Sequence, residues 1–405
     1  MISARALAVT VLLALPCAAR AQTFVVHGYI DLRAVSAANE RSWTNGGLGK
    51  SRYGEGDAGA QLGAALLDLK WQITPELSAS ADLQYQPDQR RHPDATEAYL
   101  RYRPVSITPW RWSLKVGAFF PPISLENDDI GWASPWTLTP SAIDSWVGEE
   151  LRTLGGEFNI EHRGLFNTFQ AGFALFGKND PAGELLTTRG WSLSDLTSGI
   201  SAFVREPDVY APRIGAAAPL DYRPFDEIDN RPGWYAYASL DSSVWGKWVL
   251  LRYDNRADPA NFETYEQRKV FAWHTRFWSA GTRKQLGNLV AIAQAMDGVT
   301  TIAPLPNLIL DTRFAAGYLL LGWGKGKWRP ALRADLFSTH LPSSSSQLSE
   351  HGRALTAALN WRPNDWLRVT GEWLHIDSTR NQRLLEKLSP RQSDNQVQVS
   401  VRFLF

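Results

Sequence analysis

The sequence predicts an all-β fold: a transmembrane antiparallel β-barrel of about sixteen strands whose third external loop folds inward. Three observations support this prediction. Segments of about ten residues alternate apolar and polar side chains, connections alternate between short and long, and tryptophans gather beside the short connections. Alternation with period two is typical of a strand whose two faces meet different surroundings. About ten residues is also the span of a tilted membrane strand.

Composition narrows the classes of protein before any motif is considered. The chain has 405 residues, with 42 basic and 41 acidic side chains and one cysteine, Cys17. Nucleic acid is not an expected partner, because phosphate binding needs a clustered basic excess. A single cysteine excludes a disulfide framework and a thiolate metal cluster, and no cofactor is expected. Without a long apolar helix in the mature sequence, only a closed barrel satisfies every backbone group in lipid.

The N-terminus has the pattern of a secretory signal peptide over residues 1–21. Arg5 is positively charged, residues 6–15 are apolar, and Ala19-Arg20-Ala21 matches the small-x-small cleavage site. Residues 22–405 then form the barrel domain. We expect this domain in the outer membrane of a Gram-negative bacterium.

The strands follow from the alternation, which is clearest over residues 396–403, apolar at odd positions and polar at even ones. An even number of strands is expected of a single-chain bacterial barrel, with fourteen or eighteen as alternatives to sixteen. The predicted strands are 24–35, 60–72, 76–86, 94–103, 111–120, 152–162, 166–177, 233–241, 246–255, 269–278, 288–298, 312–323, 327–338, 351–362, 366–377 and 394–405.

The connections between these strands are short at one end of the predicted barrel and mostly long at the other. Outer-membrane barrels have short periplasmic turns and longer external loops. Residues 121–151 are thus the third external loop, predicted to constrict the channel, and 178–232 is a long external loop over the mouth. The other long connections are 36–59, 256–268, 299–311, 339–350 and 378–393, and the second external loop, 87–93, is short.

Tryptophans flank the short turns, where amphipathic rings would form the periplasmic aromatic girdle. The alternative is a β-sandwich in which these rings are ordinary core residues. The predicted girdle residues are Trp71, Trp112, Trp323, Trp328, Trp361 and Trp366.

Two segments, Glu97-Ala-Tyr-Leu-Arg-Tyr102 and Leu114-Lys-Val-Gly-Ala-Phe-Phe-Pro-Pro-Ile-Ser-Leu-Glu126, carry a family resemblance. They resemble the phosphate-selective porin O and P superfamily, in which Lys-x-Gly-x-Phe runs into Pro-Phe-Ser-Leu-Glu as the third external loop begins. The resemblance implies a sixteen-stranded, trimeric outer-membrane porin whose third external loop narrows the channel. Loop 121–151 is acidic here, whereas that family is described by basic lumen residues, so phosphate selectivity is not carried over.

A lumen too wide for side chains to fill predicts a path for solutes, and rings of charge there select ions. The alternation of side chains along each strand predicts that Arg252, Asp254 and Arg276 face the lumen. We expect the acidic loop to face basic wall residues and to create a transverse field; the alternative is solvated charges paired with neighbours. The predicted pore-lining or constriction residues are Arg101, Arg111, Lys115, Glu126, Asp128, Asp129 and Arg333.

The sequence therefore predicts a porin, a passive diffusion channel for small polar or charged solutes. Its expected partners are outer-membrane lipid, lipopolysaccharide and two further copies of itself. The alternative function is export or surface assembly of a polysaccharide, which would favour an unobstructed basic tunnel with a lid.

No catalysis is expected, because the sequence has neither an HExxH nor a GxSxG motif. His375, with Ser378 close by, is the histidine weighed for an enzyme site on the outer wall. Residues 126–129, Glu-Asn-Asp-Asp, offer oxygen ligands for calcium but lack the spacing of a dedicated calcium loop.

Overall fold

The computed structural model describes residues 23–265, 268–342 and 349–405. The predicted signal peptide, residues 1–21, lies outside the described residues. The twenty strands of the described chain are, in order, β1 (Thr23–Ser36), β2 (Gly59–Gln72), β3 (Leu77–Tyr85), β4 (Asp94–Tyr102), β5 (Trp110–Phe119), β6 (Thr153–Arg163), β7 (Asn167–Gly177), β8 (Val204–Arg205), β9 (Asp221–Tyr222), β10 (Gly233–Ser242), β11 (Gly246–Asp254), β12 (Phe262–Tyr265), β13 (Arg268–Phe271), β14 (His274–Leu286), β15 (Leu289–Leu305), β16 (Leu308–Trp323), β17 (Trp328–His340), β18 (Glu350–Trp361), β19 (Leu367–Arg380) and β20 (Arg391–Leu404).

Sixteen of these described strands close into one antiparallel barrel, as the sequence predicts. Each strand pairs with its neighbours in the chain, and β1 closes the sheet against β20, with Tyr29 opposite Leu404 and Ser36 opposite Val397. Two short separate sheets, β8–β9 and β12–β13, lie in external loops. Closure leaves the barrel without a free edge, so every strand has partners on both sides.

Two connections differ from the prediction. The predicted strand 269–278 is displaced, because residues 268–271 form the external strand β13 with β12 and the barrel strand β14 begins only at His274. Val270 in β13 is buried against an apolar cluster that includes Leu185. The predicted external loop 299–311 is mostly strand, since β15 and β16 stay paired out to Leu305 and Leu308. The β-branched residues around Thr300 explain this extension.

The outer face of the barrel is apolar. Leu32, Val116, Leu250 and Leu319 are each about half exposed, although they belong to regular paired strands. Such a surface fits the hydrocarbon of a bilayer, where a closed barrel leaves no backbone group unpaired. No helix in the described part of the chain has the length and apolar character needed to cross a membrane.

Three external loops fold into the barrel mouth: residues 37–58, the inner loop (residues 120–152) and the mouth loop (residues 178–232). Their large side chains are buried, among them Trp43, Trp146 and Trp191. The inner loop carries helix α1 (Ala142–Glu150) and the mouth loop carries the shorter helix α2 (Glu184–Thr188). Short 3-10 helices cover Trp43–Asn45, Asp208–Arg213 and Asn381–Glu386.

On most strands the side chains face inward or outward as the alternation in the sequence predicts, but on β11 and β14 they face the opposite way. Tyr253 and Phe277 are buried inside the barrel, so Arg252 and its neighbours at even positions face outward. The Arg252 guanidinium lies 5.4 Å from the ring of Trp278, which is 52% exposed. The predicted inward orientation of Arg252, Asp254 and Arg276 is therefore wrong. On these two strands the inward face is apolar at Tyr253 and Phe277.

Candidate functional site

Helix α1 lies inside the barrel against an apolar stretch of wall. Its N-cap Ser141 accepts a hydrogen bond from the Asp144 N–H (3.2 Å), and all nine helical residues are buried. The Trp146 ring lies 5.2 Å from that of Phe314 and 5.6 Å from that of Phe277, measured between centroids. A helix this short is marginal alone, so packing against the wall fixes its position.

Arg333, on β17, holds the chain that enters α1. Its guanidinium donates hydrogen bonds to the carbonyl oxygens of Thr139 (2.7 Å) and Pro140 (2.9 Å). It also forms ion pairs with Asp335 (2.8 Å) and Glu126 (3.4 Å). Arg333 is only 1% exposed and Glu126 is fully buried. These two predicted pore residues therefore fasten the inner loop to the wall, where neither is open to solvent.

Two wall carboxylates complete this anchor. Glu372 accepts hydrogen bonds from the N–H groups of Leu138 (2.6 Å) and Thr139 (3.1 Å). Asp335 accepts from the Ala142 N–H (3.2 Å), where the helix dipole of α1 favours a negative charge. The sequence did not single out either residue as part of the site. A signal for Asp335 was present, because Arg333 and Asp335 are opposite charges at adjacent inward positions of one strand.

Asp128 and Asp129 of the inner loop pair with arginines on distant strands. Asp129 lies 2.6 Å from Arg368, and Asp128 forms an ion pair with Arg283. Residues 126–129 thus do not converge on one point as calcium ligands would, because each carboxylate has a separate arginine partner.

Arg101, Arg111 and Lys115 lie on β4 and β5, and the contacts of Arg101 and Lys115 are with the wall itself. Lys115 pairs with Glu157 of the neighbouring strand (3.5 Å), and Arg101 donates to the Ser113 hydroxyl (3.3 Å). Arg111 is half-buried on the inward face of β5. The sequence predicts that the acidic loop faces Arg101, Arg111, Lys115 and Arg333; of these four, Arg333 pairs with the loop, and Arg283 and Arg368 pair with it as well.

An open polar cavity of about 460 Å³ lies between strands β1–β4 and residues 127–132 of the inner loop. The wall contributes three carboxylates on adjacent strands, with Asp68 directly opposite Asp82 and Asp82 directly opposite Glu97. The alternation along each strand indicates that these acids face inward, but not that they form a row, since their alignment depends on strand register. The ionisable lining residues are His27, Asp68, Lys70, Asp82, Glu97, Tyr99, Asp128 and Asp129.

The mouth loop is fastened above the inner loop by buried polar contacts. Asp195 lies 2.6 Å from Arg33 of β1 and 3.2 Å from Arg52 of the first external loop. At the end of α1, Glu150 accepts hydrogen bonds from the Tyr222 hydroxyl (2.5 Å) and the Leu185 N–H (3.1 Å). Burial raises the pKa of Glu150 to about 7. The two loops therefore form one packed layer across the mouth.

The six predicted girdle tryptophans lie beside the short turns. Trp112, Trp323, Trp328 and Trp366 are 42–57% exposed. Trp71 and Trp361 are half-buried, and the ring of Trp361 stacks on that of Trp328 with centroids 5.8 Å apart.

The outer-wall histidine weighed for catalysis has a different partner. His375 Nδ1 lies 3.1 Å from Asn395 Oδ1, and its ring stacks on Trp373 with centroids 6.0 Å apart. Among residues 23–265, 268–342 and 349–405, no serine hydroxyl bonds to a histidine ring. The arrangement on the outer wall is that of an interfacial ring pair.

Comparison with solved structures shows which known proteins share this fold. No family model matches the sequence, and no curated protein sequence is significantly similar to it. The outer membrane channel DcaP of Acinetobacter baumannii is similar in structure, with a TM-score of 0.57, 10% identity, and coverage of 95% of this chain and 97% of that one. OmpT of Vibrio cholerae, in a trimer form, has a TM-score of 0.53 at 9% identity, covering 95% and 100%.

OmpF of Salmonella typhi, in complex with daunomycin, has a TM-score of 0.50 at 11% identity, covering 94% of this chain and 97% of that one. Identities this low show a shared fold, so the resemblance to the phosphate-selective superfamily stays a prediction from the sequence. With its closed sixteen-stranded sheet and apolar exterior, the described chain is a porin-like barrel of the Gram-negative outer membrane.

Proposed function

We propose that this barrel is a passive diffusion channel for small polar or charged solutes, with a preference for cations. The observation that carries the proposal is the row of Asp68, Asp82 and Glu97 across three adjacent strands, facing the inner loop across the 460 Å³ cavity. Like charges directly opposite each other destabilise a sheet. An arrangement that costs stability in this way marks a functional surface.

The charge around the cavity favours cations. Asp128 and Asp129 face the carboxylate row from the inner loop, and Lys70 and His27 are the basic side chains that line the same described cavity. Lys70 pairs with Asp68 at 2.7 Å. A passage lined by an excess of one sign concentrates counter-ions of the other sign.

The position of the inner loop supports diffusion over polysaccharide export. Export of a polymer would favour an unobstructed basic tunnel, whereas residues 120–152 lie within the barrel and α1 is buried there. Between the inner loop and the mouth loop, a second polar cavity of about 30 Å³ is lined by residues that include Gln84, Asn127 and Ser194. That volume suits about one water molecule. We infer that larger solutes pass only when the mouth loop moves.

We also propose that the protein is a homotrimer in contact with lipid and lipopolysaccharide. Support comes from the apolar outer face, which suits lipid, and from the V. cholerae relative in fold, which is described in a trimer form. Light scattering of the purified protein, corrected for bound detergent, should give three times the mass of the processed chain. A monomer mass would contradict the trimer without affecting the channel proposal.

The test of the channel is a planar bilayer measurement with refolded, lipopolysaccharide-free protein under a KCl gradient. We expect steady conductance and a reversal potential that shows selectivity for K⁺. Asp128, whose side chain is 47% exposed in the cavity, should be replaced by Lys, which should shift the reversal potential toward Cl⁻.

The matched control is Glu55→Lys, the same change of charge at an exposed position of the first external loop. The control should leave the reversal potential close to that of the parent protein. The absence of conductance, or equal shifts in both variants, would overturn the proposal.

A further inference from the structure

Three carboxylates converge at the base of the mouth loop, outside the lumen site described above. Asp180 lies three residues after the end of β7, and Glu227 and Asp229 precede β10, at the other end of the same loop. One oxygen atom from each lies within 4.8 Å of the corresponding atoms of the other two. The two ends of a loop of more than fifty residues thus meet at a cluster of oxygen atoms.

Two of the carboxylates have an oxygen atom that is buried and has no hydrogen-bond partner. Asp180 is 0% exposed; its Oδ2 accepts from the N–H groups of Ile228 (2.5 Å) and Asp229 (3.2 Å), whereas its Oδ1 has no partner. Glu227 Oε1 is likewise buried without a partner. A buried acceptor left unpaired carries its full desolvation cost, so a ligand is expected beside it.

No positive side chain compensates this cluster. Within the described parts of the chain, no lysine or arginine nitrogen lies within ion-pair distance of the three carboxylates, and the nearby Arg231 is paired with Asp258 (2.7 Å). Such a group of acids either retains a proton or binds a cation.

We propose that Asp180, Glu227 and Asp229 bind a calcium ion. The three carboxylates are all oxygen ligands, which hard divalent cations prefer, and no histidine or cysteine belongs to the cluster. Calcium is favoured over magnesium because it accepts irregular geometry and several carboxylates, whereas magnesium demands a near-ideal octahedron.

The ion would fasten the base of the mouth loop. Asp180 accepts a hydrogen bond through its carbonyl oxygen from the Trp273 N–H (2.7 Å), and Asp229 accepts one from the Asp258 N–H. The cluster therefore joins both ends of the mouth loop to the connection between β11 and β14. Calcium at this position stabilises the closed arrangement of the mouth, a property separate from conduction through the lumen.

The test uses full-length processed protein, refolded without lipopolysaccharide, stripped with EGTA and titrated with Tb³⁺ at pH 8. Trp273, next to Asp180 in space, can sensitise terbium luminescence. We expect one saturable site per chain, from which Ca²⁺ displaces Tb³⁺ and Mg²⁺ displaces it only at much higher concentration. The absence of a saturable site in the parent protein would overturn the proposal.

Two variants locate the site. Asp180→Asn keeps an oxygen to accept the two backbone N–H groups, and Glu227→Gln alters a less buried position, so folding is preserved in at least one. Either should weaken Tb³⁺ binding about tenfold or more, since even changes outside the ligand shell often cost tenfold. The control Glu55→Gln should bind as the parent does. Equal binding in all three variants would place the ion elsewhere and refute the assignment.

Discussion

The lumen has two unlike halves. From β10 to β17 the inward side chains are mainly apolar, including Tyr253, Phe277, Phe314 and Leu320, and helix α1 covers them. On β1–β4 the wall presents aligned carboxylates to an open cavity. One half of the wall is therefore covered by the inner loop, and the other half borders an open polar cavity.

This division shows how a barrel can carry an inserted loop and a channel together. A loop inside a lumen needs an apolar surface to pack on, since burial of apolar area is the main favourable contribution to its position. A path for solutes needs the opposite, a wall that stays hydrated. Placing the two surfaces on different strands avoids a compromise between them, and the inner loop then faces the polar half with its acidic residues 128 and 129.

The largest expected effect comes from a substitution on the apolar half of the lumen. Trp146→Ala removes a ring that packs against Phe277 and Phe314, and we expect the free energy of unfolding to fall by about 3–5 kcal/mol. Trp132, in the inner loop but facing the polar cavity, stacks on Phe120 with centroids 4.0 Å apart. Trp132→Ala removes a half-buried ring and should cost less, about 0.5–3 kcal/mol. Denaturant titration of both refolded variants gives the two values.

Equal losses for the two tryptophans would contradict the division of the lumen, because they would mean that the inner loop is held equally from both sides. Circular dichroism of each variant should show the same β-sheet content as the parent. The barrel itself is built from strand pairing that neither substitution touches.

The same division explains what could be predicted from the sequence. Strand number and closure followed from alternation and connection lengths, which report on the lipid-facing side and are independent of what fills the lumen. The rule that apolar side chains face lipid fails at Tyr253 and Phe277, because there the lumen is apolar too. For this reason the alternation wrongly predicts that Arg252, Asp254 and Arg276 face the lumen.

The site was harder to predict than the fold, because its contacts join residues far apart in the chain. Arg333 was selected for its charge, but its partners Glu126 and Thr139 become visible only when the inner loop is placed inside the barrel. The carboxylate row depends on register, and a bulge between Asp82 and Leu83 shifts that register. The alternation of side chains can be read from the sequence, whereas the contacts of Arg333 and the register of the carboxylate row cannot.

A second prediction concerns the layer above both halves. Replacing residues 183–206 of the mouth loop by a short Gly-Ser linker removes Trp191 and Asp195, which are buried in the mouth or tie the loop to the wall. We expect single-channel conductance to rise several-fold, because the deletion opens the layer across the mouth, where the polar cavity between the two loops now has a volume of only about 30 Å³. Removing residues 302–310, the tip of the β15–β16 hairpin, is the matched control and should leave conductance unchanged. An unchanged conductance in the first variant would mean that solutes bypass the mouth loop.

The smallest expected effect comes from a substitution in the polar half of the lumen. Asp82→Asn neutralises the middle member of the carboxylate row, so we expect the free energy of unfolding to rise by about 0.2–1 kcal/mol while K⁺ selectivity falls. Asp241→Asn is the control, because Asp241 is opposite Lys247 and its neutralisation removes an attraction instead of a repulsion. For Asp82→Asn, denaturant titration should therefore show a higher free energy of unfolding, and the reversal potential should show a lower selectivity for K⁺. A loss of stability in that variant would show that the three acids are stabilised where they stand, and the row would then be part of the scaffold and not a surface kept for passing cations.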